Sequence, residues 1–433
     1  MISLEQFVNT IRNQYQQQTV PYQEVYNTLV QHSELLAKNI NNLENILPIF
    51  TLPEYTLPHL SIIHAYVQYY QQQTSHQHQQ NVYLEKLLND IETCLKQANG
   101  QQIQYAPELY SEVCHYYTNR LCELNQPKKG LLLVYNALKQ IQKTPNQLTS
   151  LHSDLMQLSL AAKNFKLPLD ILSNEILDIN RENGNYDSKS LLSFFYYSGC
   201  IYAALKDFDK SLFYLEQAIT IPCSAVSQIM IESYKKFLLI SLIIRGKLVL
   251  LPKYTSRLVI NQIKPLCSAY HELANSFINF DLDKLNMFIQ KYNDLYQHDH
   301  NMGLVKQLKQ SLFKKHIQKL TKTYITLSLN DMALKVKLLN SKDAEYYVLN
   351  MIKDNEIYAT INQKANMVSF HDNPEKYDSV DMMDKLNDEM FNLISYDRKV
   401  KELDKEITVH PHYIQKCMST SSAGVLDDSD PIK

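Results

Sequence analysis

The sequence predicts an all-α chain with one small β element: a right-handed helical array, capped by a winged-helix module and followed by a C-terminal helix. Three observations predict it. Apolar residues recur at helical spacing from Leu4 to about residue 323. Between residues 321 and 370 the apolar period changes twice, and beyond Pro374 a helical stripe returns. Glycine usage agrees: 433 residues contain only seven glycines, against an average of about 7%. Strand-rich folds use glycine in their turns, whereas helical hairpins need few.

In the array, Leu148, Leu151, Leu155, Leu158, Ala162 and Phe165 step by three and four and predict one packed helix. Pro127, Pro145, Pro168, Pro222, Pro252 and Pro265 punctuate the array at intervals suited to helices joined by short turns. Within residues 195–222 the order Gly199, Tyr202, Ala218 and a nearby proline approximates a tetratricopeptide unit, with Gly199 allowing close approach of the paired helix. Ser211 stands where that repeat prefers alanine, and no second copy is as clear, so the array reads as helical hairpins rather than as a peptide-binding repeat protein. The Gln/His/Asn tract at residues 71–81 breaks the periodicity and reads as a solvated loop. Thirty tyrosines, with doublets at 69, 116, 196 and 346, are assigned to packing.

Residues 324–329 alternate, with Ile325, Leu327 and Leu329 on one face, the period of a half-buried strand. A helix follows, capped by Ser328 with Asp331 three positions on, burying Met332, Val336 and Leu339. Ser341 is placed to cap a second helix, whose stripe is Ala344, Tyr347, Val348, Met351 and Ile352. Ile357, Ala359 and Ile361 then alternate, residues 362–366 turn, and Val368 and Phe370 return as the second strand of a hairpin. The last helix starts at Ser379 and runs toward Thr408, ahead of Pro411. Its narrow seam is Met383, Leu386, Met390, Leu393, Tyr396, Val400, Leu403 and Ile407, the pattern of a helix that packs on other helices. The expected division is 1–190, N-terminal helical repeats; 191–370, a second domain with a helical part 191–303 and a winged helix 304–370; 371–417, linker and terminal helix; and 418–433, a tail without fixed structure.

The formal net charge of -2 argues against a general polyanion binder. No two glycines are spaced for a dinucleotide or phosphate loop. Seven cysteines without a C-x-x-C pair read as thiols of a reducing compartment. The N-terminus carries Glu5 where a signal peptide would need base and then hydrophobe, and no apolar run reaches the roughly 20 residues a bilayer requires. His271-Glu272 begins an H-E-x-x-H pattern, but Asn275 stands at the second metal ligand. Three H-x-H pairs lack the Ser and Asp that zinc isopeptidases place downstream: Lys86 and Asn89 follow His78, Leu308 and Ser311 follow His300, Thr420 and Ala423 follow His412. No cofactor or metal site is expected. Residues 304–323 carry Lys306, Lys309, Lys314, Lys315, Lys319 and Lys322, a possible phosphate-facing stripe. On the second helix of the winged module, however, Asp343, Glu345, Asp354 and Glu356 outnumber Lys342 and Lys353, so nucleic acid is not the expected partner.

A helical array capped by a winged helix and followed by one long helix resembles the PCI-domain proteins, scaffolds of the proteasome lid, the COP9 signalosome and a translation initiation factor complex. The specific strings resemble the subunit 3 family of the signalosome over nearly the whole chain. They include Leu4-Glu5-Gln6-Phe7-Val8-Asn9, Gln147-Leu148-Thr149-Ser150, Glu182-Asn183-Gly184, Glu232-Ser233-Tyr234-Lys235-Lys236 and Leu251-Pro252-Lys253-Tyr254-Thr255-Ser256. More distinctive are Tyr270-His271-Glu272-Leu273-Ala274, Asn301-Met302-Gly303-Leu304-Val305, Ile361-Asn362-Gln363-Lys364 and the run from Met367-Val368-Ser369-Phe370 through Asn373-Pro374-Glu375-Lys376-Tyr377. The resemblance implies a non-catalytic scaffold of an assembly that removes Nedd8 from cullins, in the cytoplasm and nucleus, with the isopeptidase on another subunit. It implies edge-to-edge packing of winged helices with neighbouring PCI subunits, expected to be subunits 1 and 8, and a common bundle of terminal helices. The residues that suit those contacts are Ile357, Ile361, Val368 and Phe370 of the hairpin and Leu386, Met390, Leu393, Val400, Leu403 and Ile407 of the seam. The alternatives are a proteasome-lid PCI subunit, a nucleic-acid-binding PCI protein and, last, an unrecognised enzyme.

Overall fold

The structure, a computed structural model, describes residues 4–16, 21–72, 80–142, 144–173, 176, 178–179, 187–222, 225–372 and 379–423. The chain forms two compact units, residues 1–319 and 320–433.

The first unit is helical hairpins around two apolar cores, one built on residues 7–202 and the other on residues 192–312. The helix Ser188–Ala204 contributes to both, with Phe194 and Ile201 in the first and Leu192 in the second. Helix starts in this region follow local chemistry. The side chains of Asp187, Asp207, Ser227 and Asp281 accept hydrogen bonds from the main-chain N–H groups of Lys189, Lys210, Ile229 and Lys284, which would otherwise lack partners. Pro127 opens the helix Pro127–Ile141, but Pro265 lies in the last turn of Arg257–Leu266 rather than beyond it.

The stripe at residues 148–165 is buried as expected at Leu148, Leu151, Leu155, Leu158 and Ala162, yet the helix is shorter than its period. It spans Leu151–Ala162. Leu148 belongs to the strand Gln147–Leu148, which pairs in parallel with Asp178–Ile179, and Lys163 ends the helix at a φ of 54°. A period of apolar residues records burial; it does not record where the backbone leaves the helix. Beside this corner His152 is buried, its Nδ1 3.0 Å from the Thr149 N–H that donates to it. Burial pulls the imidazole down to about 4. The folded value lies below the unfolded one of about 6.5, so the unfolded chain binds the extra proton and stability falls as pH drops from about 6.5 through 4. The loss expected from this residue is about 3 kcal/mol. Urea unfolding of the wild type and His152→Gln across that window should show it as a difference in slope, and parallel curves would contradict it.

The glycine at 199 has the role its spacing suggests. The helices Ser188–Ala204 and Phe208–Thr220 approach so closely that a Cβ at Gly199 would lie 2.7 Å from Cγ and 2.8 Å from Cδ2 of the buried Leu215. Ser211 is part of the same contact, since its hydroxyl donates to the Gly199 carbonyl at 2.7 Å. Gly199→Ala gains about 1 kcal/mol of helix propensity and loses about 1–3 kcal/mol to overpacking. Net destabilisation is therefore expected in a denaturant titration, and a stabilised variant would show that Leu215 moves aside freely.

In the second unit, residues 326–371 form a three-stranded antiparallel sheet and two helices, in the order strand, helix, helix, hairpin. Thr326–Ser328 pairs with Met367–His371, which pairs with Tyr358–Asn362, so Met367–His371 is central. Ser328 caps the helix Leu329–Val336 by accepting from Asn330 N at 3.2 Å. The next helix, Ser341–Lys353, departs from the expectation: its N-cap is Asn340, which makes no side-chain cap hydrogen bond. Two face assignments also need correction. Leu327 and Leu329 are buried but Ile325 is 81% exposed, and Met332 and Val336 are buried but Leu339 is 93% exposed. Both misassigned residues lie just outside the regular element, where the period no longer fixes direction: the helix ends at Val336 and Lys337 turns at a φ of 61°.

The terminal helix spans Val380–Val409, with Ser379 accepting from Met382 N. A further helix, Pro411–Ala423, follows. The chain is thus helical past Met418 to Ala423, where a tail without fixed structure was expected, and residues 424–433 lie outside the described residues. So do residues 73–79 of the Gln/His tract and the string 373–377.

Candidate protein interaction site

The terminal helix carries the feature with the clearest consequence. None of its residues is buried. The eight seam residues, Met383, Leu386, Met390, Leu393, Tyr396, Val400, Leu403 and Ile407, are each between 44% and 66% exposed. Thirty residues of helix extend about 45 Å, and an apolar stripe of that length in water opposes folding instead of driving it. Contiguous exposed apolar surface of this kind marks a protein contact, and the three-and-four spacing fits another helix.

The hairpin is arranged differently. Ile357, Val368 and Phe370 are buried, and Ile361 is half-buried opposite Val368 in the register. Their side chains serve the interior of this chain and are withdrawn from the set of candidate side-chain contacts. What remains is main chain: among the described residues Tyr358–Asn362 and Thr326–Ser328 are the two edges of the sheet, and an edge strand presents main-chain donors and acceptors along its outer side. Exposed Ile325, Leu334, Leu339, Tyr346 and Leu349 lie in the same unit and were not among the contact residues expected from the sequence. Tyr346, expected to pack, is 64% exposed.

The lysine-bearing helix, Met302–Thr321, does not present a uniform cationic face. The stem of Lys315 lies against Gly246 and its ammonium donates to Gln318, while the Lys319 ammonium stands 5.1 Å from the centre of the Phe280 ring. On Ser341–Lys353, Glu345 accepts from Gln363 at 2.6 Å, tying the helix to the turn of the hairpin; Asp343 and Glu345 balance Lys342 and Lys353 there, and Asp354 and Glu356, expected on this helix, follow its end. A phosphate backbone would meet no net positive charge on that helix.

The sequence strings that carry the family resemblance converge in the first unit on a buried polar network not anticipated from the sequence. Lys235, on the helix Gln228–Arg245, pairs with Glu232 at 2.7 Å and with Asp299 at 2.8 Å. The Tyr270 hydroxyl donates to Asp299 at 2.7 Å, Asn301 Nδ2 donates to that hydroxyl at 2.9 Å, and Lys236 donates to Asn301 Oδ1 at 2.8 Å. Tyr234 and His271 lie 3.2 Å apart at its edge. Burial pulls the Lys235 ammonium down, but the hydrogen bonds it donates to Asp299 and Glu232 outweigh it and hold it above its ordinary value. Burial likewise pushes Asp299 up, and Lys235 and Tyr270 together bring it below the usual carboxylate range. Both directions favour a charged pair. The signal was present as two lysines inside a helix that is otherwise largely apolar, but their partners are remote in sequence. Every group in the network is engaged with another, which is what a fixed corner requires. Among the described residues no three His, Cys, Asp or Glu side chains are grouped to hold a metal ion, and no helix is long and apolar enough to cross a membrane.

A helical array followed by a winged helix and a terminal helix with a bare apolar seam defines a subunit of the PCI class, and residues 289–372 match the PCI domain family model. Residues 19–259 match the model described as COP9 signalosome complex subunit 3, N-terminal helical repeats. The chain is 36% identical to COP9 signalosome complex subunit 3 of Drosophila melanogaster, over 96% of this chain and 95% of that one. It is 35% identical to the protein of the same name from Dictyostelium discoideum, over 82% and 84%. The chain belongs to the COP9 signalosome complex subunit 3 family.

Proposed function

We propose that this protein is a non-catalytic scaffold subunit of a COP9 signalosome, supporting removal of the ubiquitin-like modifier Nedd8 from cullins and so the regulation of cullin-RING ubiquitin ligases. The isopeptidase belongs to another subunit, and this chain acts in the cytoplasm and nucleus. The observation that carries the reading is the seam from Met383 to Ile407, exposed along its whole length in a chain whose relatives are named as subunits of a complex. Its partner is a bundle of terminal helices from the other subunits. The winged helix meets neighbouring PCI subunits, subunits 1 and 8, through the main-chain edge at Tyr358–Asn362 rather than through the inward side chains of the hairpin. The absence of a net positive charge on Ser341–Lys353 weighs against nucleic acid as the partner of the same module.

The test is native mass spectrometry of the tagged protein purified gently from its own cells, with a cullin deneddylation assay on the same fraction. A multi-subunit particle that contains a zinc isopeptidase and removes the modifier is the expected result. A lone chain, or one carrying nucleic acid, would overturn the reading.

A further inference from the structure

The loop that joins the helices Gln228–Arg245 and Arg257–Leu266 has no regular structure and is nevertheless tied down. Leu248, Val249 and Leu251 pack on the second apolar core, Thr255 is buried, and the Thr255 N–H donates to the Pro252 carbonyl at 3.0 Å to close a turn. With the rest of the loop so anchored, two large apolar side chains face outward: Leu250 is 89% and Tyr254 is 68% exposed. Single exposed apolar residues are ordinary, so this pair takes its meaning from what surrounds it.

The first of its surroundings is unpaired main chain. From Lys247 to Leu251 no main-chain N–H or C=O forms a hydrogen bond among the described residues. Such a run presents donors and acceptors in series, which is what the edge of a sheet offers to another extended chain. The second is charge of one sign. From Ser233 to His271 the sequence contains no acid. Lys247, Lys253 and Arg257 are exposed and form no ion pair among the described residues, and the stem of Lys315 lies against Gly246 at the start of the loop. Asp209, the acid that meets this start, is bound to Arg245 at 3.0 Å. Arg257 gains nothing from its own helix, because a cation in the first turn opposes the helix dipole.

We propose that residues 247–257 dock an acidic, extended segment of a partner protein, which pairs its main chain along 248–251, lays an apolar side chain against Leu250 and Tyr254, and sets carboxylates against Lys247, Lys253 and Arg257. A nucleic acid or an anionic bilayer would answer the cations, but neither carries amide donors and carbonyl acceptors in series, and strand addition needs both. The site lies outside the terminal helix and the winged helix, and it is tested on the isolated full-length chain, so its failure would leave the assembly reading standing. A short blocked peptide of alternating glutamate and leucine, labelled with fluorescein, is titrated into that chain and followed by anisotropy. Beside it run the same peptide with lysine for glutamate, the same peptide with its main-chain nitrogens methylated, and vesicles of phosphatidylcholine and phosphatidylserine. The glutamate peptide should bind saturably and more weakly as salt is added. It should bind at least about tenfold more tightly than either altered peptide, which lose the ion pairs and the main-chain pairing respectively. The double variant Lys253→Glu, Arg257→Glu should lose that binding while its circular dichroism and urea midpoint match the wild type, since both side chains are exposed. Leu250→Ser should weaken the peptide severalfold, and it keeps the test decisive should the charge variant fold poorly. No saturable binding of the glutamate peptide, equal binding of either altered peptide, full binding by the charge variant, or binding of the vesicles without the peptide would each overturn the proposal.

Discussion

Replacing Leu393, Val400 and Leu403 of the terminal helix with aspartate should release the protein from its assembly while leaving the chain folded. The two halves of that result rest on different terms. In the free chain these side chains are 66%, 63% and 56% exposed, so removing them forfeits little burial. The cost is helix propensity, at most about 0.7 kcal/mol per position. In a helical bundle the same residues are the knobs of the seam. Each aspartate would then bury a carboxylate without a partner, at several kcal/mol apiece even after relaxation, and each leucine or valine withdraws about 1.5–3 kcal/mol of burial. Three such positions exceed the roughly 12 kcal/mol that separates a nanomolar complex from its parts. The variant should therefore be absent from the affinity-purified particle, while its circular dichroism spectrum and the denaturant midpoint of the array match the wild type. Recovery of the variant in the particle at wild-type stoichiometry would show that the seam is not the assembly contact. A matched triple substitution on the polar side of the same helix, at Arg398, Glu402 and Lys405, should leave assembly intact.

How much of this was legible in the sequence depended on how local each signal is. The terminal helix was placed to within a residue at both ends, because its limits are written in adjacent residues: Ser379 as cap and Pro411 as stop. The winged helix was legible as an order of elements because alternation and three-and-four spacing are short-range patterns. Its faces were misread at Ile325 and Leu339, the positions at which an element ends. The hairpin shows the deeper limit. Alternation at Ile357, Val368 and Phe370 announces that one face is covered, but the same pattern arises whether the cover is this chain or another, and here it is this chain. The seam of the terminal helix has an equally regular pattern and the opposite outcome. Only the three-dimensional structure separates an apolar face already covered from one still bare. Of the polar network around Lys235 the sequence shows only two lysines in a largely apolar helix, because its members at positions 232, 235, 270, 299 and 301 are brought together only by the packing of helices.

That network yields the second large expected effect. Lys235→Met should destabilise the array by about 3–5 kcal/mol, although methionine is nearly isosteric with the lysine stem and a better match for an apolar interior. The reason lies in what the substitution leaves behind. Lys235 is the cation that answers Glu232 and Asp299 together, and the side chain of Asp299 is only 6% exposed. Without the ammonium, Asp299 keeps the hydrogen bond from the Tyr270 hydroxyl and the exposed His298 ring at 3.6 Å but loses its lysine, while Lys236 is engaged with Asn301. A buried carboxylate in that position either stays charged at high cost or takes up a proton. The double variant Lys235→Met, Asp299→Asn should recover a large part of the loss, since the neutral amide keeps an acceptor for Tyr270 and removes the unpaired charge. Urea titrations of the single and double variants distinguish a charge effect from a packing effect. Equal loss in both would mean that the methionine simply fits badly. A single-variant loss below about 1 kcal/mol would mean that water reaches Asp299 as soon as the lysine is gone, and that the network does not fix this corner of the array.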